Sequence, residues 1–319
     1  MTAALTLLLG AVAAGWLAPA LLARVDLTTR TEPAALLTAW LLSAAGVLAA
    51  TVSGIALLLF PGHGNGTSMA TAIHGCLEAI SHGTSPRGEE FAGLLGLLLV
   101  SGLIGRFAVT GARMARRRAR TRREHLSLLR VTARCDGSSP ATWWLDHDEP
   151  MAFSLADGAG VIVATEGLSR HLSAIEVAAV LAHEQAHLRG RHHFLITWVD
   201  ALGSALPFVP LFRRAPAAVR ELVELAADVA AVRVCGRHAV RTALVGVAGH
   251  AAPEGTLGMA QGNLDLRLAR LESGKAPAGR LRRALSCGFA AAAVTALPAI
   301  TGSAVLVAIA VVTCPLSGG

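Results

Sequence analysis

Four stretches of the chain are apolar over a length that can cross a bilayer: 3–23, 34–60, 91–112 and 287–312. The first is broken only by Thr6, by glycines and by Pro19. It has no basic leading segment and no small-x-small cleavage site, and its apolar core exceeds that of a signal peptide, so it reads as a retained span. The second is long enough to cross with tilt. The third carries Arg106 near its end, where a long side chain can snorkel toward the headgroups. Beyond it the pattern changes. Leu126 to Ala133 has strand character. Apolar runs at 152–155 and 161–164 flank Asp157-Gly158 and predict a hairpin with a longer loop. Helical stripes follow at 173–189 and 220–228, and a short helical piece at 264–271 lies in a Gly-, Pro- and Ala-rich region. The pattern predicts a mainly α membrane protein with four transmembrane helices. An N-terminal membrane region, 1–112, holds three spans. An α+β domain, 113–285, lies between the third and fourth spans, and 286–319 forms the last span and a short tail.

Composition agrees: 53% of residues are hydrophobic, 15% are charged, and the mean hydropathy is +0.55, too apolar for an ordinary soluble protein. The net charge of +7 is mostly one run after the third span: Arg113, Arg116, Arg117, Arg118, Arg120, Arg122 and Arg123. By the positive-inside rule this end is cytoplasmic. The N- and C-termini are then outside, and the α+β domain is in the cytoplasm of a multi-pass cell-membrane protein. The run can also bind anionic lipid headgroups, and no direct nucleic-acid partner is expected beside a span. The outer loop after the second span carries His63, His74 and His82 at spacings that fit no compact metal motif, and these read as solvated. Five cysteines without CxxC spacing indicate no disulfide framework. Trp143 and Trp144 read as core or interface anchors.

The chemistry concentrates in His183-Glu184-Gln185-Ala186-His187. Residues four apart share a face of an α-helix, so His183 and His187 can reach one zinc ion. Glu184 beside them is placed to take a proton from the attacking water. Ser173-Ala174-Ile175-Glu176 is a capping-box pattern that starts the helix, Val177, Val180 and Leu181 supply its apolar stripe, and Gly190 suits its end. A catalytic zinc keeps three protein ligands and one open position. On the next helical stripe Glu224 and Asp228 share a face. Glu224 can bind the metal, and Asp228 can accept a hydrogen bond from a ligand imidazole. Glu221, three residues earlier, is a rival ligand. Ala226 and Ala227 beside Asp228 favour close helix packing, and so favour Glu224. If His183 and Glu224 hold the same ion, the nearly uncharged segment at about 194–212 cannot cross the membrane once, and it is too short to cross twice. It therefore reads as membrane-dipping, broken at Pro207 and Pro210.

His183-Glu184-x-x-His187 followed by Glu224-x-x-Ala227-Asp228 resembles the membrane-embedded gluzincin peptidases. The phrases from Asp146 to Leu168 and from Val180 to His193 are similar to the BlaR/MecR-type metallopeptidases. The HtpX/Ste24-type CAAX and quality-control proteases are the second likeness; in those, two full spans separate the ligand motifs. The resemblance implies a zinc endopeptidase with one Zn2+ per chain, acting on a cytoplasmic protein such as a BlaI-like transcriptional repressor. It also implies an edge strand before the motif helix that pairs with the substrate backbone, for which 161–165 is the candidate. BlaR/MecR-type receptors carry a penicillin-binding sensor domain after the last span. No Ser-x-x-Lys occurs here in such a context, so β-lactam sensing is not carried over. Many gluzincins use Tyr or His to stabilise the oxyanion. This chain has no Tyr, which leaves His238, His192, His193, Arg220 or backbone N–H groups. The competing reading is a non-catalytic membrane receptor or scaffold with structural zinc; an intact Glu184 counts against it. A transporter is disfavoured because the spans hold few ionisable residues.

Overall fold

The computed structural model describes residues 2–24, 32–59, 88–136, 141–156, 160–248, 259, 263–273 and 300. Apart from Ile300, the predicted fourth span lies outside these residues, as do the tail and the three outer-loop histidines. Among the described residues three long helices come first: α1 (Thr2–Ala23), α2 (Pro33–Leu59) and α3 (Gly88–Thr132). Each contains a stretch long and apolar enough to cross a membrane: Ala4–Ala23, Pro33–Leu58 and Leu95–Thr121. On α1, Val12, Trp16, Leu17 and Leu21 are exposed; on α3, Leu95, Leu98, Leu99, Ile104 and Val109 are. Apolar surface of this extent suits lipid rather than water.

α3 corrects one expectation. Residues 126–132, expected as strand, continue the helix. Extending an existing helix adds one hydrogen bond per residue, whereas a new strand here would need a partner. Its last turns bring Leu129 onto Phe153, Leu155 and Val163 of the sheet.

The sheet contains β1 (Arg134–Cys135), β2 (Ala141–Leu145), β3 (Ala152–Leu155) and β4 (Val161–Thr165), in the order β1-β2-β4-β3. β3 and β4 form the predicted antiparallel hairpin, while β2 runs parallel to β4. This corrects a second expectation. β4 is central, paired on both sides, and β3 holds the edge. Four of the five side chains of β4 are buried, as befits a short continuous apolar run at the centre of a sheet. Trp143 and Trp144 on β2 are half-buried; Trp143 packs against the small cluster of Leu129, Phe153, Leu155 and Val163, and Trp144 against the larger core under the motif helix.

Among the described residues six helices follow: α4 (Glu166–His171), α5 (Ala174–Arg189), α6 (His192–Ala205), α7 (Pro210–Cys235), α8 (Arg237–Val247) and α9 (Leu264–Glu272). The capping box starts α5, with the backbone N–H of Ser173 donating to Glu176 at 2.8 Å. α6 ends before Pro207, and α7 starts with Pro210 in its first turn, where a missing N–H costs nothing. This α6–α7 corner is the segment expected to dip into the membrane. It shares one apolar core with the first two long helices: Val199, Leu202, Leu211, Phe212 and Val219 pack with Ala14, Leu36, Trp40 and Val47. A Cβ at Gly15 would stand 3.0 Å from Val209. A second core joins α5, α8, α9 and the sheet through Val180, Ala243, Leu244, Leu271 and Ala164. The catalytic candidates sit between the two cores.

Candidate metal centre

α5 and α7 lie side by side and present the predicted residues to each other. His183, Glu184 and His187 are fully buried on α5, and Glu224 and Asp228 are nearly so on α7. His183 Nε2 and His187 Nε2 are 3.0 Å apart. Glu224 Oε2 lies 3.4 Å from the first, and Glu224 Oε1 lies 3.5 Å from the second. Donors held tetrahedrally at about 2.0–2.1 Å from a zinc ion stand roughly 3.3 Å apart. The three separations are close to that figure, with each histidine facing a different oxygen of Glu224, and one donor atom from each residue can be chosen so that all three lie within 4.8 Å. Two ring nitrogens directed at each other and a carboxylate oxygen, Glu224 Oε2, buried with no hydrogen bond, also call for a cation between them. Among the described residues, the metal-capable group is His183, His187 and Glu224; Glu221, half-buried on the same helix, is not part of it.

Each imidazole is held from behind. His183 Nδ1 lies 3.0 Å from Asp228 Oδ1, although off the direction of a well-formed hydrogen bond. His187 Nδ1 lies 2.9 Å from His192 Nδ1. Glu184 Oε1 accepts from the backbone N–H of Met259 at 2.9 Å, and its Oε2 is buried without a hydrogen bond.

Two residues of the site escaped the sequence reading. Arg267 on α9 is fully buried and donates through Nε and Nη2 to both oxygens of Asp228, each at 2.7 Å. Its Nη1 donates to the Met259 carbonyl at 2.6 Å and lies 3.5 Å from Glu224 Oε2. The available signal was the stripe Leu264, Leu268 and Leu271, on which Arg267 takes an apolar-face position. Met259 gave no signal, since it acts through its backbone.

Of the oxyanion candidates, His238 is exposed and faces Glu176 near the start of α5, while Arg220 is engaged with Asp200 at 2.7 Å. His192 is packed behind His187. His193 Nε2 lies 3.3 Å from Ser154 Oγ on β3.

The electrostatics follow from burial and partners. Burial alone would lower His183, but Asp228 and Glu224 outweigh it and raise its pKa to about 9. Burial pushes Glu184 up to about 8. Burial, then the charge of His183, holds His187 well below the ordinary range. Burial takes His192 down to about 4. Burial would raise Asp228, but the Arg267 guanidinium holds it well below the usual carboxylate range.

Residues 118–213 match the family model of Peptidase family M48. The match supports an M48-type metallopeptidase, a hydrolase of peptide bonds. It takes in the sheet, the motif helix and α6, and it ends in the first turn of α7, before Glu224. Peptidases of family M48 are zinc-dependent, and the two histidines and Glu224 form a group that can hold such an ion. No solved structure matches the chain.

Proposed function

We propose that this chain is a membrane-integral zinc endopeptidase that cleaves a cytoplasmic protein, with His183, His187 and Glu224 as metal ligands and Glu184 as general base. The observation that carries the reading is the convergence of two imidazoles and the Glu224 carboxylate within reach of one ion, with a second buried carboxyl beside them. Bound zinc supplies an acidified water and polarises the scissile carbonyl. Glu184 takes the proton at Oε2 while the Met259 N–H holds Oε1, then returns it to the leaving amine. Burial holds the Glu184 carboxyl above its ordinary range in the metal-free site, and a cation held beside it would favour the carboxylate that accepts the proton. Asp228, itself gripped by Arg267, orients His183. β3, at the sheet edge beside α5, is the strand for an extended substrate to pair with.

The likeness to the BlaR/MecR-type enzymes makes a BlaI-like repressor the first substrate to test. The second reading, quality control of membrane proteins in the HtpX/Ste24 manner, draws support from the α6–α7 corner. Gly15, which Val209 abuts, is midway along α1, so the corner reaches toward the bilayer midplane. Glu224 stands about 21 Å up α7 from Pro210, so it comes out within roughly 6 Å of the hydrocarbon edge when α7 is upright.

The test compares purified wild type with Glu184→Gln for zinc content and for turnover of a repressor, a membrane-anchored substrate and an unfolded generic one. The variant is expected to keep its zinc and lose cleavage about 10²- to 10⁴-fold. Wild type that holds zinc yet cleaves none of the three would move the zinc-bearing receptor reading ahead.

A further inference from the structure

The two histidines of the motif are supported differently. His183 has a carboxylate behind it, Asp228, which the sequence pattern suggested. Behind His187 is another imidazole, His192, one turn past the end of the motif helix. The chain is shaped to bring it there. α5 ends at Arg189 and α6 starts at His192, with a two-residue link between them. Arg191 takes the left-handed conformation at φ 50°, which few non-glycine residues adopt without a reason. This turns the first residue of α6 back under α5. Gly190 has an ordinary φ of −78°, so its backbone does not require glycine. Space does: a Cβ at 190 would lie 2.3 Å from His192 Nε2. The His192 ring is buried, and it meets His187 edge-on with centroids 4.9 Å apart.

The proton assignment follows from the metal side. His187 Nε2 faces His183 and Glu224, so its lone pair belongs at Nε2 when a cation is held and its proton at Nδ1. Nδ1–H then donates to His192 Nδ1, whose own proton is on Nε2.

We propose that His192 is the positioning residue for His187: it fixes the ligand's tautomer and ring orientation through the Nδ1–Nδ1 hydrogen bond, and Gly190 and Arg191 exist to seat it. The inference rests on the metal reading of the site. It does not rest on the peptidase reading.

The test uses the full-length protein in detergent, loaded with zinc or cobalt. The readouts are the rate of zinc release to excess chelator and the visible spectrum of the cobalt form. His192→Ala should release zinc about 10- to 100-fold faster and shift the cobalt bands. His192→Asn, whose side-chain amide can return an acceptor to the Nδ1 position, should recover much of both. Gly190→Ala should resemble His192→Ala, because it displaces the ring without removing it. His238→Ala, exposed on α8, is the comparison. The proposal is overturned if His192→Ala keeps the wild-type release rate and cobalt spectrum. It is equally overturned if His192→Asn loses zinc as fast as His192→Ala although both zinc-free proteins melt like wild type. Wild type that binds no metal would end both readings. Wild type that binds zinc without cleaving any substrate would end only the peptidase reading, with the His192 comparison still decisive.

Discussion

Arg267 neutralises the most charge-dense part of the interior. Asp228, Glu224 and Glu184 are all buried within its reach or that of its neighbours. Removing one partner of a buried ion pair strands the other, at a cost of about 3–5 kcal/mol. Arg267→Met should therefore lower the melting temperature sharply. The double replacement Arg267→Met with Asp228→Leu should recover most of that stability without recovering zinc affinity, because His183 has lost its orienting carboxylate. Equal recovery of both would show that Asp228 serves packing alone. The titration of the site gives a second prediction. His183 and Glu184 both have folded-state pKa values raised, to about 9 and about 8. The zinc-free folded protein thus binds more protons than the unfolded chain between neutral pH and pH 9, and its stability must fall as pH rises through that window. Zinc needs an unprotonated His183, so the loaded protein gains over the zinc-free one across the same range. Melting of both forms at pH 7 and pH 9 checks this. The zinc-dependent rise in melting temperature should be larger at pH 9.

At the scale of elements, the α6–α7 corner ties the site to the apolar helices. Arg118 of α3 and Arg220 of α7 both hold Asp200 of α6, at 2.5 and 2.7 Å, and Arg106 donates to the Ser204 carbonyl at 3.1 Å. Asp200, the one charge in the segment, is thereby neutralised by two helices at once. Phe208 at the corner's tip is two-thirds exposed. A membrane-dipping corner places it in lipid. A cysteine introduced there, Phe208→Cys in a chain with its native cysteines replaced, should react slowly with a water-soluble maleimide in membranes, while Arg233→Cys on the exposed face of α7 reacts fast. Equal rates would place the corner in water. The two corrected elements share one physical cause. Residues 126–132 were read as strand from local pattern, and 161–165 as the edge strand from the resemblance; neither says whether a helix already in progress continues or which strands end up beside each other.

For the whole molecule, the arginine run sets the expected orientation. A reporter fused after Ala248 should be fluorescent as a green fluorescent protein and inactive as alkaline phosphatase; the reverse would invert the topology and put the candidate site outside the cell. Three long apolar helices were legible from the sequence because lipid exposure demands uninterrupted apolar length, which is a one-dimensional property. The motif helix was legible because a period of 3.6 turns spacing into geometry: His183 and His187 had to share a face, and so did Glu224 and Asp228. What the sequence could not supply was the pairing of faces from distant segments. Ala226 and Ala227 favoured Glu224 over Glu221, but that it meets the histidines depends on the rotation of α7 against α5. That an arginine from α9 and the Met259 N–H complete the site depends on long-range closure, 39 residues beyond Asp228 and 75 beyond Glu184. The place of β3 at the sheet edge, and of His192 behind His187, likewise came only with the tertiary structure. Periodicity determines what a segment presents; only packing decides what it is presented to.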